Sequence, residues 1–586
     1  MKVRNLLLIG LTSVMAWSCS DDELQGGGNN KPASSKNYIE VSIKMPTTTR
    51  TATPNEGTEV GLDFENQVNS VLILAVEAKG TEGEEFTEEG ALRLARKVGS
   101  DQLMTEAGEQ PIVTLQDVKL DIEQGYTIYA FVNPTDDMVD HYLAMVDKGS
   151  PWDKEGAVAF AEGAATPAIT SADAHGFIES LTYDGYAANF SGQAGATSAP
   201  DVNKGNFLMT DTKTTSSNRE GKKEIYRFKN TGNEVYKLSA STNVERAVAR
   251  FDYKANDNGN EYEIKDGEGT TDKPVSGKTL TVTLAGYKIM NISKTFYHLK
   301  RVVAKASDSN YNYGGAETAT NYVVDADWDA KNKWTGKDEN ELDIRKKLFF
   351  VPLNGEDKSD YISLGGLFDD NHEDTGGPGQ NWDGNDEDDV NKNGYKVLGY
   401  CTENTIKGNS NQRYGLTTAV VFKAEIGGSI IEEGTGALYR YNNTVYNTWD
   451  AVYSAYRLNN PSASYNNYEA YKTACNAEGK ALEITRWKKD TTDGKFYCYY
   501  AYWNRHNDNG KSTVMGPMEF AVVRNNIYKL DIKNIWKLGH PTDPTNPIDP
   551  DEPWKPTTPD EEDKLTMDVN VSVLNWAVRV NNITFE

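Results

Sequence analysis

The most distinctive chemical group near the start of the chain is the thiol of Cys19. Lys2 and Arg4 come first, a short apolar run follows from residue 6 to residue 15, and the sequence Ala-Trp-Ser leads up to the cysteine. A charged start, a short apolar segment and a cysteine in this position are typical of a lipoprotein signal peptide, and the run is too short to span a bilayer. We therefore predict that residues 1–18 are removed and that Cys19 is lipidated, with a plain secretory signal as the alternative.

A second position open to chemistry is Arg50, the first arginine after Cys19. It lies between three threonines and Thr51, in a Thr-rich loop that follows a candidate strand. Loops of small polar residues are the preferred sites of proteolytic cleavage. The pattern indicates a strand that is joined to the rest of the chain through one accessible arginine. The alternative is a solvated loop arginine without a role.

Motifs for catalysis and metal binding are scarce. The six histidines form no H-E-x-x-H pattern, and the chain contains no G-x-S-x-G or P-loop sequence. Asp389-x-Asn391-x-Asn393-Gly394 resembles the start of a calcium loop, but its twelfth position is Tyr400 instead of Glu. We expect a solvated acidic loop over residues 369–394 and a solvated turn around His506. The sequence predicts no enzyme, no cofactor and no metal site.

Three cysteines follow Cys19, namely Cys401, Cys475 and Cys498. An odd number cannot form a complete set of disulfides, and no C-x-x-C spacing occurs. Cys498 lies in the candidate strand Phe-Tyr-Cys-Tyr-Tyr, where a buried free thiol acting as a small apolar side chain is expected. A bridge between Cys475 and Cys498 stays open at this point.

The clearest elements that could position this chemistry lie near the two ends of the chain. Residues 38–45 alternate strictly, which predicts a strand with one buried face formed by Ile39, Val41, Ile43 and Met45. Residues 565–586 alternate in the same way but slip by one position in the middle, which predicts a bulge or a second strand with its later apolar side chains on the opposite face. The apolar residues of this terminal strand are Leu565, Met567, Val569, Val571, Val573, Leu574, Trp576, Val578, Val580, Ile583 and Phe585.

A proline-rich segment precedes the terminal strand. From Pro541 to Pro559 a proline recurs at every third residue. Polyproline II has three residues per turn, so these nineteen residues would form a stiff rod of ~59 Å. An apolar strand on such a tether is suited to pairing with another molecule. The alternative is an ordinary C-terminal strand that folds back after a long loop.

Length and composition limit the architecture and the partners. A chain of 586 residues is too long for one core, which predicts two globular domains plus tails. The formal net charge of −26 argues against nucleic acid or an anionic membrane surface as a partner. Many short alternating runs between Asn, Asp, Gly and Thr predict an all-β fold with long loop insertions and few short helices.

Several segments spread over the chain carry a family resemblance. They include Cys19, Arg50 after a first strand, and the sequences Tyr-Ala-Phe-Val-Asn at 129–133, Val-Glu-Arg-Ala-Val-Ala-Arg at 244–250, Cys-Thr-Glu-Asn-Thr at 401–405 and Val-Val-Arg-Asn-Asn-Ile-Tyr at 522–528. In this order, together with the terminal strand, they resemble the fimbrillins of Bacteroidales, especially the Mfa-type major fimbrial subunits. The acidic run at 20–23 resembles the signal that sends lipoproteins of these bacteria to the cell surface.

The resemblance implies two β-sandwich domains of transthyretin-like topology. The expected organisation is a signal peptide (1–18), a propeptide with lipidated Cys19 and the first strand (19–50), an N-terminal domain (51–240), a C-terminal domain with insertions (241–540), a proline-rich linker (541–564) and a donor strand (565–586). It also implies an outer-membrane lipoprotein precursor that an arginine-specific protease cuts between Arg50 and Thr51.

In the implied function, the cut chain joins a cell-surface fimbria that contributes to adhesion. The terminal strand of a neighbouring subunit would fill the groove left by the first strand. The implied partners are other copies of the chain and accessory fimbrial subunits. The alternatives are a glycan-binding surface lipoprotein that does not polymerise and, third, a surface hydrolase.

Overall fold

Strands dominate the part of the chain that the structure describes. This computed structural model describes residues 37–45, 58–61, 63–104, 111–148, 207–212, 224–254, 256, 258–264, 271–293, 296–300, 302–303, 322–323, 325, 361–364, 395–405, 416–507, 518–543 and 567–577. The predictions at Cys19, Arg50 and Thr51, in the acidic loop 369–394 and in most of the proline-rich segment lie outside these ranges.

The described strands are short and numerous, as the all-β prediction requires. In chain order they begin with β1 (Tyr38–Lys44), β2 (Thr58–Val60), β3 (Ser70–Lys79), β4 (Glu88–Gly99), β5 (Leu103–Met104), β6 (Ile112–Leu115), β7 (Gly125–Val132), β8 (Met209–Asp211), β9 (Tyr226–Arg227), β10 (Lys229–Gly232), β11 (Val235–Arg246), β12 (Ala249–Lys254) and β13 (Glu261–Glu263). They continue with β14 (Lys273–Pro274), β15 (Thr281–Met290), β16 (Val302–Val303), β17 (Tyr322–Val323), β18 (Ile362–Ser363), β19 (Tyr395–Cys401), β20 (Ala419–Gly427), β21 (Ala437–Tyr441), β22 (Thr444–Tyr446), β23 (Thr485–Lys488), β24 (Phe496–Trp503), β25 (Asn526–Ile535) and β26 (Met567–Ala577).

Helices are few within the described ranges. They are α1 (Asp136–Lys148), α2 (Trp449–Asn459) and α3 (Tyr468–Ala477). Side-chain caps begin the last two, because Thr448 accepts a hydrogen bond from the amide of Ala451 and Asn467 accepts one from Ala470. No described helix has the length and the apolar character needed to cross a membrane. The prediction of an all-β fold with few short helices is confirmed.

The first core is built by ten strands in the order β4-β3-β7-β8-β11-β1-β6-β5, with β9 and β10 paired at the side. The strand β3 lies between β4 and β7, and its residues from Val71 to Val76 are all fully buried. Both faces of this strand are therefore covered, which explains an apolar run without alternation. The long strand β11 connects the two parts of this sheet, since residues 237–243 pair with β1 and residues 244–246 pair with β8. Side chains from both parts meet in one core.

The second core lies between two five-stranded sheets. One sheet has the order β19-β12-β25-β26-β2, and the other has the order β13-β15-β20-β24 with β18 beside β15. Along the chain, Val248 packs in the first core and Ala249 in the second. The predicted boundary at 240/241 therefore falls inside β11, several residues before the change of core.

A smaller unit is built mainly from the segment between β20 and β24, and β14 from earlier in the chain joins its sheet. Strands β14, β22, β21 and β23 form a four-stranded sheet, and α2 and α3 contribute to a separate cluster rich in tyrosine. Trp449 stacks on Tyr453 with ring centroids 5.2 Å apart. This unit lies within residues 241–540, where insertions are expected.

The remaining cysteines are buried free thiols, as expected for Cys498. Cys401 and Cys498 belong to the second core and Cys475 to the tyrosine cluster, so the bridge left open between Cys475 and Cys498 is not formed. Burial raises the pKa of the Cys498 thiol to about 12, which keeps it protonated and unreactive at neutral pH.

His506 corrects one expectation, because it does not lie in a solvated turn. Its side chain is buried, and its Nδ1 lies 3.0 Å from the hydroxyl of Tyr528. The backbone amide of His506 donates to the carbonyl of Glu519. The polar sequence around it is typical of a turn, but this ring packs under the second core. Burial, and then the positive charge of Lys300, lower the pKa of His506 to about 4.

The low pKa of His506 predicts a loss of stability in acid. The unfolded chain takes up a proton near pH 6.5, whereas the folded chain does so only near pH 4. Stability is therefore full above pH 6.5 and falls as the pH drops through this window, by ~3 kcal/mol for this residue. In urea unfolding across this pH range, His506→Gln should show a shallower slope than the unchanged protein. Equal slopes would contradict this assignment.

Candidate functional site

The first strand, β1, is a central strand of the first core. All seven of its residues pair in parallel with β11, and residues 39–42 pair antiparallel with β6 on the other side. The amide of Ile43 extends the second ladder by donating to the carbonyl of Pro111 at 2.8 Å. Both backbone edges of β1 are thus occupied, although the strand lies before the predicted cleavage position in the sequence.

The two faces of β1 have different environments. Ile39, Val41 and Ile43 are 0% exposed and Met45 is 2% exposed, so the predicted apolar face fills the first core. On the other face, the carboxylate of Glu40 lies 2.6 Å from Nζ of Lys237 on β11, and both side chains are partly exposed. The alternation in residues 38–45 is therefore realised as predicted.

Without β1, the first core would contain an open groove. The facing edges of β6 and β11 would lose their hydrogen-bond partners, and the space of four apolar side chains would be empty. Unpaired strand edges beside an apolar groove readily accept another strand. The link between β1 and the rest of the chain passes through Arg50, whose own placement lies outside the described residues.

The terminal strand β26 is paired within its own chain. It runs antiparallel to β25, and its last three residues pair in parallel with β2. This is the arrangement expected for the alternative of a strand that folds back. The expected bulge at the slip is absent, because Val573 and Leu574 pair with consecutive residues of β25; the register shift lies opposite residues 568–569 instead.

After the slip in the alternation, the apolar side chains of β26 face the other core. Val569, Val571 and Val573 pack against the second core, whereas Leu574 packs against the first. This is possible because successive side chains of a strand point to opposite faces, and β26 packs against both cores. For Met567 and Trp576 the backbone alone is described, and Leu565, Val578, Val580, Ile583 and Phe585 lie outside the described residues.

A buried ionic network holds the two cores together. Arg250 on β12 donates to both carboxylate oxygens of Asp252, at 2.9 and 2.8 Å, and to Glu65 at 3.1 Å. Tyr400 also donates to Glu65. Glu65 precedes β3 of the first core, whereas Arg250 and Asp252 belong to the second. The charges of both ion pairs are almost fully excluded from solvent.

A second buried arginine extends this network. Arg524 donates to Glu403 at 2.7 Å, to the carbonyl of Tyr297 at 2.7 Å and to the hydroxyl of Thr210 at 3.1 Å. Lys300 pairs with Glu245 at 2.6 Å nearby. Burial raises the pKa of Glu245, although Lys300 opposes this shift.

The network explains what three of the resembling segments do. Residues 244–250, 401–405 and 522–528 are far apart in the sequence, but their charged side chains meet at the junction of the two cores. The sequence analysis quoted these residues without assigning them a role. The available signal was the presence of Arg and Glu within otherwise apolar segments, since such charges are buried only when paired.

Metal-ligating residue types are dispersed in the described part of the chain. Across the ranges that the structure describes, no group of three or more His, Cys, Asp or Glu side chains is arranged to hold a metal ion. The start of the calcium-like loop lies outside those ranges, and Tyr400 at its twelfth position is part of β19. The described features define an all-β protein in which the first and the last strand each complete a sheet.

One segment late in the chain is similar to a known family. Residues 494–582 match the family described as major fimbrial subunit protein type IV, fimbrillin, C-terminal. The match spans β24, β25 and β26, and the resemblance to the fimbrillins is thereby confirmed. No curated protein sequence matches the chain.

Solved structures of low identity span most of the chain. A candidate cell adhesion protein from Bacteroides eggerthii is 10% identical, covers 94% of this chain and 99% of its own, and has a TM-score of 0.33. Fimbrilin FimA from Porphyromonas gingivalis is 11% identical, with 93% and 99% covered and a TM-score of 0.32. The tip fimbrial protein Mfa3 from Porphyromonas gingivalis is 10% identical, with 92% and 99% covered and a TM-score of 0.30. These scores are too low to define the fold, which rests on the strands described above.

Proposed function

We propose that this protein is a structural subunit of a cell-surface fimbria that polymerises by strand exchange after cleavage at Arg50. The observation that carries the proposal is the position of β1. A strand that fills the centre of the first core is followed directly by the Thr-rich segment that contains Arg50. Cutting between Arg50 and Thr51 would break the covalent link between β1 and the sheet that it completes, without cutting any of the described strands.

The energetics favour refilling of the emptied groove. Four buried apolar side chains contribute ~6–12 kcal/mol in gross terms, at ~1.5–3 kcal/mol each. A strand added from another subunit recovers this term and satisfies the edges of β6 and β11. Ordering and association remove part of the gain. The remainder supports the slow dissociation that a filament under load requires.

The terminal strand supplies a suitable donor. Residues 567–573 repeat the alternation of β1, and the proline-rich segment before them gives the reach to leave the parent subunit. In the single chain this strand pairs antiparallel with β25. On transfer to a neighbour it would lose this ladder and pair with β6 and β11 of that neighbour. Other copies of the chain and accessory fimbrial subunits are the proposed partners.

The precursor is proposed to reach the cell surface as an outer-membrane lipoprotein anchored through Cys19. Because acylation occurs on the thiol, Cys19→Ala should abolish labelling of the precursor by a fatty-acid analogue. Cys475→Ala is a matched control, since that thiol is buried in the folded chain. Labelling that persists in Cys19→Ala would rule out this anchor.

Cleavage at Arg50 gives the direct test of the proposed function. In unboiled gels of surface extracts, the unchanged protein should form a ladder whose N-terminal sequence begins at Thr51. Arg50→Ala should give one folded, lipidated band, because β1 stays in its groove. Arg50→Lys adds a control that keeps the charge but removes the arginine that the protease recognises. A single band from the unchanged, processed protein would favour a surface lipoprotein that does not polymerise.

A further inference from the structure

The outer face of β1 carries one ion pair that links it to the groove. Nζ of Lys237 on β11 lies 2.6 Å from the carboxylate of Glu40 and 5.8 Å from the ring centre of Tyr38. The side chain of Lys237 is 26% exposed, so the charge is partly shielded from water. When β1 leaves, Lys237 stays on the rim of the groove and loses this carboxylate.

We propose, on the basis of the function proposed above, that Lys237 selects the register of the incoming strand of a second copy by pairing with its Asp568. The occupant would lie parallel to β11, as β1 does. Met567 would take the place of Ile39, Asp568 that of Glu40, and Val573 that of Met45. An acidic residue then returns to the position that faces Lys237.

Apolar alternation alone does not choose this register. A shift by two residues toward the N-terminus would place Leu565, Met567, Val569 and Val571 in the groove, which is equally apolar. It would set Thr566 at the position of Glu40 and leave Lys237 without a carboxylate. A register that places Leu574 at the position of Ile39 sets Asn575 at the position of Glu40. Lys237 again has no carboxylate to pair with. A shift by two in the other direction forces Asn575 into the core.

The ion pair between Lys237 and Asp568 therefore selects among registers that fill the groove with apolar side chains equally well. A one-residue slip is already excluded, because it turns every apolar side chain outward. Among the apolar registers that remain, the two-residue slip lies nearest to the proposed one, and it differs from the proposed register mainly in the residue beside Lys237. A charged hydrogen bond at a partly shielded site discriminates between these two registers by about tenfold.

Charge exchange between the two residues tests the pairing. Lys237→Glu and Asp568→Lys should each slow ladder formation by the processed chain by about tenfold, and the chain with both changes should recover. Lys495→Glu makes the same charge change at an exposed ion pair with Glu425, beside a sheet of the second core and away from the groove, and should assemble normally. Failure of the double variant to recover, with normal processing of all chains, would overturn the pairing.

Cysteine cross-linking tests the register independently of stability. Ser42 of β1 lies opposite Ser241, and Lys44 lies opposite Asn243. The proposed register places Asn570 opposite Ser241, so Ser241→Cys with Asn570→Cys should give disulfide-linked ladders under non-reducing conditions. The shifted register instead links Asn243→Cys with Asn570→Cys.

The outcomes separate the two proposals. Linkage through position 243, or a ladder that neither pair cross-links, would overturn the register while the polymerising function stands. Absence of any ladder from the processed, otherwise unchanged chain would overturn the proposed function itself.

Discussion

A chain that ends at Lys564 is expected to lose assembly completely. It keeps the leader, Arg50 and the groove of the first core, but it lacks the strand that fills the groove of a neighbour. Surface extracts should therefore contain processed chains without a ladder. The measurement is an unboiled gel combined with N-terminal sequencing, which verifies that cleavage at Arg50 has occurred.

The same deletion should also lower the stability of the single chain. Val573 is buried and Val569, Val571 and Leu574 are partly buried, so the loss amounts to ~3–5 kcal/mol. The melting temperature of the second core should fall by several degrees. Pairing of β26 within its own chain is enough to explain this loss of stability. Loss of the ladder, in contrast, is expected only if the strand also inserts into another copy.

Mixing separates the two roles of the chain. A truncated chain can still receive a strand but cannot give one. Added to full-length subunits, it should shorten ladders in proportion to its share, because every copy that joins ends the growth at one side. Ser572→Ala, on the exposed face of β26, is a control that should leave ladders unchanged. A normal ladder from the truncated chain would refute the donor role of residues 565–586.

The second large effect concerns a chain that begins at Thr51 and ends at Lys564. Without β1 and without any donor, its first core lacks four buried side chains. The gross loss of ~6–12 kcal/mol is comparable to the whole stability of a typical domain, which is ~5–15 kcal/mol. We expect the first core of this chain to unfold far below the melting temperature of the precursor, while the second core melts separately.

A peptide of residues 565–586 should restore the missing stability. Differential scanning calorimetry with increasing peptide would measure this as a concentration-dependent rise in the lower transition. Val571→Asp in the peptide should abolish the rise, since it forces an unpaired charge into the core. Asn570→Asp adds the same charge on the outward face and should still rescue. No stabilisation by the unchanged peptide would contradict the exchange.

Much of the strand content could be predicted, because alternation reports directly on a half-buried sheet. Residues 38–45 show it, and they contain β1. The aromatic run that begins at Phe496 predicts a strand by its composition instead, and it forms β24. The segment from Met518 to Ile532 does not form one continuous strand, because β25 begins only at Asn526. Met518 and Asn525 have positive φ angles of 60° and 58°, so the chain bends there and brings Arg524 into the junction. Apolar content alone does not reveal such a bend.

The contacts at the junction could not be predicted from one sequence. Arg250 meets Glu65 across 185 positions, and Arg524 meets Glu403 across 121. Local patterns carry no information on pairs at such separations. The same reason explains the error at His506, whose polar neighbours indicate exposure although its ring packs beside Tyr528. The sequence predicts the apolar face of β1 that fills the groove. It does not predict that β6 and β11 form the groove, because the neighbours of β1 are set by the topology of the whole sheet.

The buried junction has a consequence for the response of this protein to salinity. Mobile ions screen exposed charges over about 8–10 Å at moderate salt, but they do not enter a dry interior. Arg250–Glu65 and Arg524–Glu403 have fully buried side chains, so the relative placement of the two cores should be indifferent to ionic strength. Lys237 and Glu40 lie at the surface and are within reach of these ions. Added salt should therefore leave each subunit rigid while it weakens the selection that Lys237 exerts on an incoming strand.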